Sequence, residues 1–412
     1  MTLTGKISRR LVLAAGAALV VTAAHAQVLD PLKFGALLPL SGNYGFLGVS
    51  ERMGIDLAVS EINDAGGVLG RKVEVVYEDS GTPAQATRKA TQMLERDKVA
   101  FFVNGGGSAV SAAMFEFAQR NKVIDLAIDP NAEELVTTKA NRYSFLVPAP
   151  SSMIANAVMP EAAKLGKTVL FLTHDYSFGH AQTAEQRRVL KEVGGVKEVG
   201  EIKVPLNTRD FSSQIIAIRN AKPDMVVVNV AGVDATALFE QIWEFELFKN
   251  TKIVVPLLDF EDSWAIGPEK NRLISLAGVE WHDTVPAKDA QAFKARYQKA
   301  YPKAQYPVPT TNSVNAYLAV RETLRAIQRA GSTDTDKIIA ALENHEVKDS
   351  LKPNPMLIRA KDHQWVQDFF VFRMKDPKTS AEPGDIYDLV SVAKGTDIVV
   401  PEAERKADLA TQ

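Results

Sequence analysis

Short apolar runs, polar loops broken by glycine or proline, and stretches of helical periodicity follow one another along most of this chain. That alternation limits the fold more than any single motif. Residues 34–72 hold one complete unit: 34–40 is apolar and short enough for a buried strand, and Pro39 with Ser41-Gly42-Asn43 breaks it. Met53, Leu57, Ala58 and Ile62 then recur at helical spacing, and Gly66-Gly67 ends the helix. The pattern repeats as strand 72–78, helix 83–94, strand 99–103, helix 108–118 and strand 123–128. A second run starts near Pro148-Ala149-Pro150: helix 153–165, strand 168–173, helix 182–193, strand 196–204, helix 211–220, strand 224–230, helix 235–245 and strand 252–258. Repeated strand, helix, strand order is the signature of parallel α/β sheets, whose ligands collect at the strands' carboxyl ends. After Gly278 the spacing gives helices over 287–299 and 313–330, a late strand over 365–374, and a turn-rich tail after Pro377 expected to wrap the surface.

The first 26 residues read differently. Lys6 and Arg9-Arg10 precede an apolar stretch from Leu11 to Ala24, and Ala24-His25-Ala26 offers an A-x-A cleavage site, so 1–26 is expected to be an export signal cut after Ala26. Ser8-Arg9-Arg10-Leu11-Val12-Leu13 resembles a twin-arginine signal; Val12 is smaller than the usual Phe, which leaves the general secretory route open. About 14 apolar residues fall short of the ~20 that span a bilayer. With no Cys there is neither a lipid-attachment thiol nor a disulfide framework, and the expected location is the periplasm, free of the membrane. Loss of the signal takes the balance from 48 basic against 50 acidic residues to 45 against 50, which argues against nucleic acid as a partner. The remaining length exceeds the ~250 to 300 residues at which one core stops growing, so two domains are expected.

Five stretches carry a family resemblance: LLPLSGNYGFLG, GIDLAVSEINDAGGVLGRKVEVVYED, HDYSFGHA, DFSSQIIAIRNAKPDMVVV and IRAKDHQWVQDFFVF. In this order they resemble the type I periplasmic solute-binding proteins of ABC transporters, in the branched-chain amino acid (Leu/Ile/Val) receptor branch. The resemblance covers nearly the whole chain after the signal. It implies two doubly wound parallel-sheet lobes joined by a three-crossing hinge. Lobe 1 is expected over 27–149 with 279–352, and lobe 2 over 150–278 with 353–412. It also implies capture of a small solute by lobe closure, delivery to an inner-membrane ABC permease, a monomer, and no cofactor.

Candidate ligand contacts follow. Ser108 comes after three glycines at the head of a helix, so it reads either as an N-cap or as a hydroxyl and N–H offered to a carboxylate. The matching Ser of the resembled receptors holds the ligand carboxylate, with Gly105, Gly106 and Gly107 permitting close approach. Asn131 stands where those receptors carry a Thr; a turn role competes. Asp129 departs from the family, since a carboxylate there repels a ligand carboxylate and accepts from an ammonium, amide or hydroxyl. Tyr176 and Phe178 follow the first strand of the second lobe, where the family sets an aromatic against the ligand. Core packing competes for Phe178, and Tyr44 and Phe46 in the opening loop share that ambiguity. Asp259 lies near the family's acidic ammonium acceptor, with capping or plain surface charge as the other readings. Trp264 reads as a core residue more than a rim residue.

An enzyme is not expected. No H-x-x-H, H-E-x-x-H, G-x-S-x-G or phosphate-loop pattern occurs, and Ser108, His174 and Asp175 form no recognised nucleophile motif. The resulting expectation is a receptor for an amino acid or related small carboxylate or amide. The alternatives are a receptor for an aromatic acid or short amide, or a periplasmic ligand sensor of the same fold.

Overall fold

A computed structural model describes residues 1–2, 29–404 and 409. The expected export signal lies almost wholly outside the described residues. The first sheet is built from β1 (Leu32–Leu38), β2 (Val73–Asp79), β3 (Phe101–Asn104), β4 (Ile124–Ala127) and β5 (Ser144–Leu146). Its order is β2-β1-β3-β4-β5, parallel throughout. Helices α1 (Gly45–Asp64), α2 (Pro83–Gln92) and α3 (Ser108–Asn121) make the crossovers. β1 and β3 to β5 are almost wholly buried, which explains why they read as continuous apolar runs and not as alternating ones. Phe34 and Phe101 stack at 4.7 Å between neighbouring strands in the core of this sheet.

The second sheet comprises β6 (Thr168–His174), β7 (Lys197–Val204), β8 (Met225–Asn229), β9 (Lys252–Val255) and β10 (Ile274–Val279), extended by two strands from the far end of the chain. Helices α4 (Ser151–Ala162), α5 (Ser177–Val193), α6 (Ser212–Ala221), α7 (Val233–Glu244), α8 (Phe260–Ile266) and α9 (Pro268–Asn271) accompany it. In β7-β6-β8 the chain reverses direction across β6, as it does across β1 in β2-β1-β3. Each sheet therefore has one topological switch point, and the crevice at its carboxyl end is where an α/β protein binds its ligand.

Helices α10 (Ala290–Ala300) and α11 (Thr311–Ala330) follow β10, and α11 returns to pack along α1 of the first sheet. Gly54 makes that packing possible. A Cβ there would stand 2.0 Å from the Ser313 carbonyl oxygen, so the two helices meet backbone to backbone.

Three expectations need correction. The single strand over 365–374 is two strands in different sheets. After α12 (Thr335–Leu342), the strands β11 (His345–Val347), β12 (Met356–Ile358) and β13 (Trp365–Val366) form a small sheet, whereas β14 (Phe369–Met374) pairs antiparallel with β10. Gln367 and Asp368 separate them because their polar groups are spent on other segments: Gln367 donates to the Val147 carbonyl at 2.7 Å, and Asp368 accepts from Gly395 and Asn354 N–H at 3.0 Å. The tail does not simply wrap the surface, since β15 (Tyr387–Ala393) forms an antiparallel edge beside β14 with Tyr387 buried. The YDLVSVA run was a legible strand signal obscured by the turn residues before it. Finally, the helix expected from 182 begins at Ser177, which places Phe178 in its first turn.

Gly54→Ala should lower the urea midpoint. Helix propensity would gain ~1 kcal/mol, but forcing α1 and α11 apart costs ~1–3 kcal/mol, more because a rigid backbone carbonyl is the obstacle. A midpoint equal to or above that of the unaltered protein would refute the close-packing assignment.

Candidate functional site

The carboxyl ends of the two switch points face one another. Tyr44 follows β1, Gly107 and Ser108 follow β3, and Asp129 and Asn131 follow β4; across from them Tyr176 and Phe178 follow β6, Ala231 follows β8 and Asp259 follows β9. These residues line one cavity of about 50 Å³. The Tyr44 and Tyr176 hydroxyls meet at 2.8 Å and form a hydrogen bond between the first sheet's loops and the second's. Burial raises both phenols, Tyr44 to about 12, so both are neutral O–H groups at any physiological pH.

At the head of α3 the geometry is unusual. Gly106 and Gly107 adopt φ of +105° and +84°, a conformation that L side chains disfavour, and turn their N–H groups toward the loop after β4. The Asp129 carboxylate accepts both, at 2.7 Å from Gly106 and 3.1 Å from Gly107. The two N–H groups just ahead of α3, beside the place where the family resemblance implies a ligand carboxylate, are thus taken by the chain's own carboxylate. Gly107 is the N-cap and makes no side-chain cap, while Ser108 is the first helical residue and 2% exposed, so the capping reading of Ser108 is not what the structure shows.

Asp129, half-buried, belongs to a set of carboxylates with the buried Glu51 on α1, the half-buried Asp259 before α8, and the buried Glu261 and Asp262 on α8. Both Glu51 oxygens and Oε2 of Glu261 are buried without a hydrogen-bond partner, and Asn312 donates to Asp259 and to Glu261 at 3.4 Å. Burial pushes every one of them up: Asp129 to about 6 against the pull of the two glycine N–H groups, and Asp262 to about 8 with Glu261 adding to the rise. Glu51, Asp259 and Glu261 rise with them, Asp129 and Glu261 being the largest charges acting on Glu51. None of the cavity-lining residues is basic. The site is built to hold protons or to receive positive charge.

Of the expected contacts, Tyr44, Gly107, Ser108, Asp129, Asn131, Tyr176, Phe178 and Asp259 line the cavity together. Gly106 lies just behind it, acting through Asp129, and Phe46 lies outside it. Two residues on from Tyr44 in the first turn of α1, Phe46 falls on another side of the helix. Phe178 is both buried and lining, so its two readings merge. Asn131 donates to the Ala149 carbonyl at 2.8 Å and tilts toward Glu280 at 3.4 Å, a tie to the first crossing between the sheets as well as a wall of the cavity. Trp264 is 39% exposed on α8 and lines a different cavity, contrary to the core expectation. His174 ends β6, buried against Asp234 at 3.3 Å, while Asp175 is exposed and pairs with His180, so the two share no catalytic geometry. The sequence reading missed Leu47, Pro130, Ala231 and Leu257 in the lining and Glu51 behind it. Glu51 had a signal: it sits four residues from both Leu47 and Ile55, a carboxylate on the buried stripe of α1.

A family model of periplasmic binding proteins matches residues 31–381. The chain belongs to the periplasmic binding protein family. Its relatives and fold place this periplasmic binding protein among the type I members, in the branched-chain amino acid branch. It is 28% identical over 246 residues to Leu/Ile/Val-binding protein homolog 7 of Brucella suis, and 29% over 247 residues to homolog 8 of the same organism. Each match covers 57% of this chain and 60% of the relative. A periplasmic binding protein from Burkholderia mallei superposes with a TM-score of 0.84 at 28% identity, over 92% of this chain and 99% of that one. A solute-binding protein from Rhodopseudomonas palustris BisB5, solved with 3,4-dihydroxybenzoic acid, shares the fold at a TM-score of 0.76 and 22% identity, over 89% and 98% of the two chains. Among the described residues no helix is long and apolar enough to cross a membrane, and no group of three or more His, Asp or Glu is arranged to hold a metal.

The raised carboxylates set the sign of the pH dependence. A carboxyl whose folded pKa lies above its unfolded value binds more protons folded than unfolded, so its contribution is complete at low pH and lost as pH rises through the folded pKa. For Asp129 and Asp262 that window runs from about 4 to about 8. The ligand-stripped protein should therefore melt at a higher temperature at pH 6 than at pH 8, and Asp129→Asn with Asp262→Asn should flatten the difference. A melting temperature that climbs from pH 6 to pH 8 in the unaltered protein would contradict this electrostatic account.

Proposed function

We propose that this protein is the periplasmic solute-binding subunit of an ABC importer. It captures an amino acid or a related small carboxylate or amide between two lobes and delivers it to the inner-membrane permease as a monomer. The observation that carries the choice of ligand is the Asp129 carboxylate on the Gly106 and Gly107 N–H groups, inside a cavity that Asp259 also lines. A solute carboxylate aimed at the head of α3 competes with a covalently tethered one, whereas an ammonium or amide N–H finds acceptors in Asp129 and Asp259. Amides and amine-bearing solutes are therefore preferred over simple acids. The Tyr44, Tyr176 and Phe178 rings form an apolar wall for the rest of the solute.

Lobe 1 in this reading is the first sheet with α10, α11 and the small β11-β12-β13 sheet. Gln364 bridges to Leu146 of β5, which supports drawing the third crossing near Gln367 in this reading, where the sequence expectation drew it at 352. The hinge segments meet at Glu280, whose carboxylate accepts from the Ala149 N–H at 2.6 Å and from Asn315 at 2.8 Å. A cavity of about 50 Å³ is far below the ~300–1,000 Å³ of ordinary ligand sites. Entry of a solute thus requires the Tyr44–Tyr176 bond to break and the lobes to part, and binding is favoured by contacts that exist only when both lobes touch the solute. No catalytic step is assigned to this site.

A thermal-shift screen of ligand-stripped protein against amino acids, their amides, and aromatic acids and amides tests the reading. A true ligand at ~100 times its dissociation constant should add about 2.7 kcal/mol, with amides and amine-bearing compounds among the hits. Turnover of an ester or amide with no stabilising compound in any class would sink it. For an ammonium-bearing hit, Asp129→Asn should weaken binding by ~1.5–3 kcal/mol. Because an ammonium pulls the Asp129 pKa down from about 6, binding near pH 6 should release protons and near pH 8 far fewer. Calorimetry in two buffers of different ionisation enthalpy reads that release; heats independent of buffer at pH 6 would place Asp129 outside the contact.

A further inference from the structure

The cavity between the two switch points presents acceptors where a free amino acid needs donors. The Asp129 carboxylate takes the Gly106 and Gly107 N–H groups at 2.7 and 3.1 Å, next to Ser108. A solute carboxylate brought beside it would meet a like charge, and no Lys, Arg or His lines the cavity to offset the pair.

A second, independent observation concerns Asn131, which lines the same cavity and is 5% exposed. Its amide nitrogen donates to the Ala149 carbonyl at 2.8 Å and leans toward Glu280 at 3.4 Å, which fixes which atom is nitrogen and which is oxygen. The amide hydrogens are therefore spent on the crossing behind the cavity. The remaining atom, Oδ1, has no hydrogen-bond partner, and unlike the two Glu51 oxygens it is not fully enclosed. Asp259 repeats the pattern from the second sheet's side. This half-buried side chain receives Asn312 on Oδ1 at 3.4 Å, while its Oδ2 receives nothing and is likewise not enclosed.

The donors left in the lining are few. Ser108 keeps a hydroxyl that bonds to no other described residue, and the Tyr44–Tyr176 pair has one O–H hydrogen that its mutual bond does not use. A solute group that gives N–H hydrogens and accepts at a single carbonyl oxygen matches this inventory. An ionised carboxylate, which only accepts, leaves Oδ1 of Asn131 and Oδ2 of Asp259 unpaired.

We infer that Asp129 stands in for the solute's carboxylate, so that the cleft takes a primary amide without a carboxylate of its own, with or without an amine. The amide carbonyl meets Ser108, and its N–H groups meet Oδ1 of Asn131 and Oδ2 of Asp259. This rests on the receptor reading above and narrows it, since free amino acids are rejected by a cleft that their amides enter.

Pairs of compounds that differ only in amide against carboxylate are the probes: glycinamide and glycine, leucinamide and leucine, phenylalaninamide and phenylalanine, isobutyramide and isobutyrate, benzamide and benzoate. Calorimetry at neutral pH on the ligand-stripped, processed protein should show, in every pair that binds, the amide about tenfold or more tighter than its acid. Asp129→Ala frees the Gly106 and Gly107 N–H groups and should strengthen the acid in absolute terms, so that the preference shrinks by about tenfold or reverses. A purely structural role would weaken both members alike. If that variant fails to fold, the pairs on the unaltered protein read the same preference. The inference is overturned, with the receptor reading intact, if the acid of a binding pair matches its amide or if Asp129→Ala leaves the ratio unchanged. Binding by none of these compounds also overturns it, and leaves the receptor reading to the broader thermal-shift screen.

Discussion

Right-handed crossovers that always step the same way put every helix on one face of a parallel sheet, so covering both faces requires the strand order to reverse, and at that reversal the helices diverge and leave a crevice. This chain makes that reversal twice, across β1 and across β6, and turns the two crevices toward each other. Everything functional depends on that constraint. The loops after β1, β3 and β4 meet those after β6, β8 and β9 with no further device than the order of the strands.

Within the meeting point, burial of like charge is the dominant physical term. A carboxylate taken from water without a cation either protonates or waits for a partner, and five of them share this region. Asp129 is held by the N–H groups of Gly106 and Gly107 just ahead of α3, which pull its carboxyl down against the rise from burial. The same bonds occupy the Gly106 and Gly107 donors within the protein itself.

The junction between the two sheets carries a related arrangement. Glu280 is buried at the junction of the first crossing, α11 and the loop holding Asn131, and Lys352, lowered by burial to about 8, is the charge that pulls the Glu280 carboxyl back down. A carboxylate satisfied from several segments at once lets connections bend while keeping their polar groups paired. This explains why Asn131, a plausible turn residue on sequence alone, serves both the cavity and the crossing.

The order of elements in both sheets was legible because buried parallel strands are continuous apolar runs and their helices keep a 3.6 period. Eight of the ten expected contacts share one cavity because residues just after parallel strands are displaced to the same end of the sheet whatever their identity. The sequence failed where periodicity carries no information about partners. The run 365–374 looks like one strand but divides between two sheets at Gln367, and YDLVSVA closes an edge that nothing local specifies. Phe46 had the right chemistry on the wrong side of a helix, and Trp264, read as a core residue, is 39% exposed. By itself the sequence determined the fold class, which residues follow the strand ends and the presence of Asp129. Only the tertiary structure decided that Asp129 accepts from the two glycines ahead of α3 and that Glu51 and Glu261 are buried in the same region. Those are statements about distance and burial between residues far apart in the chain, and local propensity encodes neither.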